Sequence, residues 1–160
     1  MPDLATPRLL LHALTIEEAT ALGAGRSLPG WTFAEGYPLP DTTDGVGFFL
    51  RHRQREYGVH LVVRREDGRV IGDAGFVGPP ADGGVAIGYE IVPSARGQGY
   101  ATEVIRALAE WALGQPEVGE VGAETLPDNE PSIRALLRAG FVEVEPGANL
   151  RRFAMQTTPG

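Results

Sequence analysis

Apolar residues recur along this chain with two periods, and the switches between the periods lay out its elements. Arg8 to Leu14 reads as a first strand. Thr15-Ile16-Glu17-Glu18 then matches a capping box, Thr15 at the N-cap and Glu18 three residues on, opening a short helix. Gly23 to Asp44 is rich in Gly and Pro and carries Trp31, Phe33 and Tyr37; so long an irregular stretch suits a functional loop, and its aromatic residues are candidates to line a pocket. A second helix is expected over Val46 to Glu56. Val59 to Arg64 and Val70 to Val77 are β-rich runs joined by the hairpin signal Glu66-Asp67-Gly68. Val85 to Val92 alternates, with Val85, Ile87, Tyr89 and Ile91 on one face and Glu90 on the other. Helical spacing then sets in. Ala101, Val104, Ile105, Leu108 and Ala112 share a face, and Gly114 and Pro116 stop the helix. Val118 to Thr125 is a strand; Ile133, Leu136 and Leu137 mark a helix ending at Gly140; Phe141 to Val144 and Leu150 to Gln156 are the closing strands.

The order gives about seven strands and about four helices, and the consecutive hairpins of the first half require a mixed sheet. The expected class is α/β (α+β): a mixed, mostly antiparallel central sheet with helices on both faces. At 160 residues one domain is expected over 1–160, large enough to bury a core unaided. The absence of cysteine excludes disulfides, cysteine-ligated zinc and a cysteine acyl-enzyme. His12, His52 and His60 show no metal-ligand spacing, so no metal site is expected. Neither a signal peptide nor an apolar run long enough to span a bilayer is found, and a cytoplasmic location is expected. The net charge of −7 disfavours nucleic acid and anionic membrane as partners. Arg51 to Arg55 reads as a solvated helix face.

The chemistry concentrates where the strand ending at Val92 turns through glycines into a helix opening near Gly99. The first turn of a helix has unpaired N–H groups and the positive end of its dipole, glycines let the backbone approach an anion, and Arg96 adds charge. A P-loop is excluded because Tyr100-Ala101 stands where Lys-Ser/Thr is needed. A dinucleotide fingerprint is excluded by Thr102 and by the preceding hairpins. The spacing that does match is Arg96-Gly97-Gln98-Gly99-Tyr100-Ala101, within the longer run from Gly88-Tyr89-Glu90-Ile91-Val92-Pro93 to Thr102-Glu103. With Thr6-Pro7-Arg8-Leu9-Leu10-Leu11 and Glu124-Thr125-Leu126-Pro127-Asp128-Asn129-Glu130-Pro131-Ser132, ending at Gly140-Phe141, this resembles the RimJ/RimL-like branch of the GNAT superfamily of N-acetyltransferases. Gly23 to Tyr57, where the acceptor usually binds, carries no matching pattern.

The resemblance implies transfer of an acetyl group from acetyl-CoA to a primary amine, the acceptor being a small molecule or a protein N-terminus. It places the CoA pyrophosphate on backbone N–H groups of Arg96, Gly97, Gln98, Gly99, Tyr100 and Ala101, with Thr102 beside them. It runs the pantetheine arm along Ile91 and Val92, where an N–H could polarise the thioester, and brings Asn129 to the same arm; Asn129 also suits a helix N-cap. Without cysteine, direct attack in a ternary complex is expected. Glu124, five residues before Asn129, and Glu90, beside the thioester position, are candidate bases, with Glu35 a third. Many relatives carry an acidic tyrosine seven residues after the asparagine; Leu136 stands there, and Ser132 is the substitute, ahead of Tyr100. A non-catalytic acyl-CoA-binding module and an antibiotic-amine acetyltransferase are the alternatives. The acceptor and the assembly state, a homodimer among the options, stay open.

Overall fold

The β-rich runs pair into one sheet. The computed structural model describes residues 1–52 and 56–157, which form nine strands and four α-helices. These are β1 (Leu4–Ala5), β2 (Leu9–Ala13), α1 (Ile16–Gly23), β3 (Thr32–Phe33), α2 (Thr42–His52), β4 (Val59–Arg64), β5 (Arg69–Phe76), β6 (Gly84–Ile91), α3 (Tyr100–Leu113), β7 (Glu120–Thr125), α4 (Glu130–Ala139), β8 (Val142–Val144) and β9 (Arg151–Gln156). The order across the sheet is β1-β2-β4-β5-β6-β7-β9-β8, with β3 alongside β5. Pairing is antiparallel except at β3–β5 and β6–β7. The strands beyond the expected seven are β1 and β3, two residues each and too short to carry a period.

Helix ends follow their local chemistry. Thr15 caps α1 through the expected reciprocal box with Glu18. Helix α2 opens at Thr42, four residues before the expected Val46, because Thr42–Gly45 are poor helix formers that tertiary contacts nevertheless hold helical. The part of the expected helix and basic face at Arg53 to Arg55 lies outside the described residues; Arg51 and His52 are exposed. In α4, Ile133 and Leu136 are buried, but Leu137 is 50% exposed: it stands a further 100° round the helix, outside the expected stripe. Leu9, Leu61, Ile71, Ile105, Leu108, Leu136 and Phe153 form the centre of the core.

Two adjacent residues of β6 show how the helices are layered. Glu90 meets Thr42 of α2, whereas Tyr89 meets Ser132 of α4. Neighbouring side chains on a strand point to opposite faces, so α2 and α4 cover opposite faces of the sheet. Helix α1 packs with α2, and α3 with α4. Among the described residues no helix is long and apolar enough to cross a membrane.

Candidate active site

The parallel pair at the sheet's centre comes apart. β6 and β7 are in register only from Gly84 to Ala86, opposite Glu120 to Gly122. Beyond that point β6 keeps its other neighbour, pairing with β5 through Ile91, and β7 pairs with β9 through Thr125. The facing edges of Tyr89–Ile91 and Ala123–Thr125 therefore have no ladder between them. Backbone direction alternates along a strand. Ala86 O accepts from Val77 and the Val92 N–H donates to Ile71 O at 2.8 Å, so even-numbered residues of this stretch turn toward β5. Tyr89 and Ile91 turn their backbone groups into the opening. Ile91 thus stands on the edge expected to meet an extended ligand; Val92 does not, because its N–H is engaged within the sheet and cannot polarise a ligand carbonyl.

Just past β6 the chain makes a short 3-10 turn over Pro93–Ala95 and enters α3 through Gly97 (φ 76°) and Gly99 (φ 84°). Both angles lie in the left-handed region, and glycine takes them without the strain a Cβ would add. Arg8 fixes the turn from outside: its Nη1 donates to Gln98 O at 2.8 Å, its Nε to Glu103 at 2.8 Å, and its guanidinium lies 4.3 Å from the centre of the Tyr100 ring. The first intrahelical bond of α3 runs from the Glu103 N–H to Gly99 O at 3.2 Å. The amides of Tyr100, Ala101 and Thr102 precede it and lack an acceptor within the helix. They line a cavity of about 160 Å³ to which Arg96, Arg134 and Arg138 contribute cations and no Asp or Glu contributes an anion. Arg96 also anchors β6, its Nε donating to Ile91 O at 2.8 Å. Chemically this is an anion site.

On the opposite face of β6 the polarity reverses. A cavity of about 390 Å³ is lined by Asp41, Asp44, Asp73 and Glu90, with Phe48, Phe76 and Tyr89 among its apolar walls and no Lys or Arg. Asp73 and Glu90 are cross-strand partners, so two carboxyl groups stand side by side. Thr42 Oγ1 bridges them, 2.7 Å from Asp73 and 3.0 Å from Glu90, while accepting the Leu39 N–H at 3.0 Å. A hydroxyl has one hydrogen, so both carboxyl contacts are hydrogen bonds only if one acid is protonated. Asp73 already accepts from Tyr37 Oη at 3.0 Å, which leaves Glu90 as the natural proton holder. Burial, and then the charge of Asp73, push the Glu90 carboxyl up from 4.5 to about 7. Asp73 is raised too, chiefly by burial. A carboxyl poised there exchanges protons at neutral pH.

The other expected residues fall around this centre unevenly. Ser132 lies three residues into α4, and its Oγ is 2.5 Å from Tyr89 Oη. Asn129 is the N-cap of α4, its Oδ1 accepting the Ser132 N–H at 3.4 Å. Leu136 is fully buried. Tyr100 is buried beneath Arg8. Glu124 is 51% exposed and faces Arg152 at 3.6 Å; Glu35 is exposed in its loop. Trp31 and Phe33 do not line the acidic cavity. Trp31 instead packs at a tilt against His12 and donates to Glu18, and Phe33 packs edge-on against Tyr37, which reaches the site through its hydrogen bond to Asp73. Thr42, Asp73 and Phe48 were not anticipated. Asp73 does leave a trace, as a lone carboxylate inside the apolar run Val70–Phe76. Among the described residues no cluster of His, Cys, Asp or Glu could hold a metal.

The chain is similar to known acetyltransferases. The model of the acetyltransferase (GNAT) domain matches residues 8–142. The uncharacterized N-acetyltransferase YoaA of Bacillus subtilis is 31% identical over 146 residues, 88% of this chain and 82% of that protein. An aminoglycoside N(6')-acetyltransferase type 1 of Klebsiella aerogenes is 36% identical over 106 residues, 62% of this chain and 69% of that protein. Among solved structures, an acetyltransferase of Agrobacterium tumefaciens superposes with a TM-score of 0.72 at 24% identity, covering 98% of this chain and 95% of that one. RimL, the ribosomal L7/L12 α-N-protein acetyltransferase, solved with CoA, gives 0.70 at 20% identity, covering 96% and 97%. These last two are likenesses of fold.

Proposed function

The chain belongs to the acetyltransferase (GNAT) family, and from that premise we propose that residues 1–160 act as one domain that moves the acetyl group of acetyl-CoA directly onto a primary amine. The observation that carries this reading is the break between β6 and β7, with an anion site at one side of β6 and an acidic cavity at the other. The pyrophosphate is held by the amides of Gly97 to Thr102, where Gly97 and Gly99 permit close approach and the cations nearby offset its charge; the Arg96 N–H, expected to join them, is engaged by Pro93 O at 3.2 Å, and Arg96 serves through its guanidinium. The pantetheine arm lies along the Tyr89–Ile91 edge as an added strand, with the free side of the Asn129 amide toward it and Val92 holding the edge in place from the β5 side.

The amine enters the acidic cavity as an ammonium ion, which the carboxylates there favour. Glu90, once deprotonated, takes a proton from it. The freed nitrogen attacks the thioester carbon, the C–N bond forms, and collapse breaks the C–S bond. Sulfur leaves with the bonding pair beside Ser132 at the start of α4, where a hydroxyl donor and the positive helix end both stabilise a thiolate. Glu90 is the better-supported base, because it lines the acidic cavity, whereas Glu124 is half exposed and lines neither that cavity nor the anion site.

The test is release of free thiol from acetyl-CoA over a panel of N-terminal peptides, polyamines and aminoglycosides. Amine-dependent thiol release is expected. CoA binding without turnover on any amine would instead make the chain an acyl-CoA-binding module. An antibiotic amine is the second reading of the acceptor: it is favoured by the likeness to the aminoglycoside enzyme and by an acidic cavity suited to a polycation.

A further inference from the structure

Tyr89 belongs to the strand and Ser132 to the helix across the opening, yet their hydroxyls lie 2.5 Å apart. No other hydrogen bond between side chains spans the opening between β6 and α4 among the described residues. Tyr89 is also among the residues that line the acidic cavity, so it borders both halves of the site. In this chain the interior of α4 offers no acid, since Leu136 is sealed in the core.

We infer that Tyr89 is a positioning residue for the leaving group, its phenol donating to Ser132 Oγ so that the serine hydroxyl is turned outward to the departing sulfur. The direction follows from acidity. A phenol is a stronger acid than an aliphatic alcohol, so the tyrosine donates and the serine accepts. Accepting on oxygen leaves the single serine hydrogen with one place to go, and donation into a hydroxyl strengthens that hydroxyl as a donor in turn. Tyr89 does not give up its proton outright. Burial raises its phenol above the ordinary value of 10.0, while a thiolate is the conjugate base of a stronger acid, so transfer to sulfur is uphill.

The balance is complete without a co-reactant. The C–S bond breaks and its electron pair stays on sulfur. The thiolate is held by the Ser132 O–H and takes a proton from water as CoA departs. The amine nitrogen has lost one proton to Glu90 before attack and loses a second afterwards, so one proton is released overall.

This inference rests on the placement of the sulfur beside Ser132, and the test separates the two. CoA itself is the probe, because its free thiol occupies the leaving-group position without any acceptor. The thiol of bound CoA is titrated through the ultraviolet absorbance of its thiolate in wild type, Tyr89→Phe, Ser132→Ala and the double variant, and desulfo-CoA serves as the binding control. Bound CoA should ionise more readily than free CoA. Tyr89→Phe should raise the thiol pKa by about 1, a tenfold loss of thiolate preference. Ser132→Ala should raise it at least as far, and Tyr89→Phe should add nothing in the Ser132→Ala background. Affinity for desulfo-CoA should be the same in all four, which a loss of fold would not allow. If Ser132→Ala shifts the thiol and Tyr89→Phe does not, or if the two shifts add, the positioning role is overturned while Ser132 keeps its place. If Ser132→Ala leaves the thiol unmoved, the sulfur is elsewhere and both ideas fall.

Discussion

Glu90→Gln should make the protein more stable and the enzyme much slower, and the two effects have one cause. In the folded chain the carboxyl titrates near 7 instead of 4.5. An acid whose pKa is raised by folding is held protonated in the native state while the unfolded chain has already lost its proton. Between pH 4.5 and about 7 the folded state therefore binds more protons, and stability declines as pH rises through that window. Above it the penalty is constant. Glutamine cannot ionise and escapes it, which should add roughly 1–2 kcal/mol at pH 8, less than the full shift implies because the half-exposed carboxyl is partly screened by water. The same substitution removes the base and should lower kcat by about 10²–10⁴-fold. Asp73→Asn supplies the second arm. Burial is the larger cause of the Glu90 shift and the Asp73 charge the next, so the acid limb of the rate profile should move down by about 1 pH unit, not by the whole displacement. Asparagine can still accept from Thr42 and Tyr37, so the fold is kept. Thermal melts across pH and kcat profiles measured with a competent amine read both arms. An acid limb that stays where it is in both variants would show that Glu90 is not the titrating group.

Gly99→Val should abolish the thermal shift produced by CoA, which at 100 times its dissociation constant amounts to about 2.7 kcal/mol, because a β-branched residue cannot take the left-handed angle there without strain; unchanged CoA binding would refute the pyrophosphate assignment. Ser132→Ala should lower kcat by about 10- to 100-fold in a reaction limited by chemistry, with acetyl-CoA affinity little changed. Acid should destabilise the fold through His60, whose imidazole is fully buried and held at about 4 by that burial. The unfolded chain protonates at 6.5, so stability should fall as pH drops from 6.5 toward 4, by up to about 3 kcal/mol, and equilibrium unfolding of His60→Leu should lack that slope.

What could be read in the linear chain was what depends on near neighbours. Gly97 and Gly99 announce the anion site because a left-handed turn before a helix is local chemistry. Thr15 and Glu18 announce a helix start for the same reason. The Asp73–Glu90–Thr42 cluster could not be read, since its members come from β5, β6 and α2 and meet only through strand register. Glu90 was a legible candidate, but its rank over Glu124 rests on a neighbouring carboxyl 17 residues away in sequence. Ile91 and Val92 differ by one residue and by direction: which of them faces the opening is decided by where β5 pairs. Leu137 looked like core because helical spacing alone leaves a stripe's edge undefined. Tyr89 looked like one more apolar-face residue until α4 brought a hydroxyl to its ring.

The break in the sheet also bears on solubility. Rows of unfilled backbone donors and acceptors on a sheet's outer edge invite other chains to add themselves, and proteins guard such edges with charge, twist or brevity. Here β1 and β8 close the outer edges with strands of two and three residues. The longest unladdered stretch is internal, with α2 over one face and α4 over the other. A foreign polypeptide laid into it would drive its alternate side chains into a helix on each side. A slender, unbranched arm has none to place. The cleft proposed to take such a ligand is thereby closed to the aggregation that an equal length of bare edge would risk on the outside of the molecule.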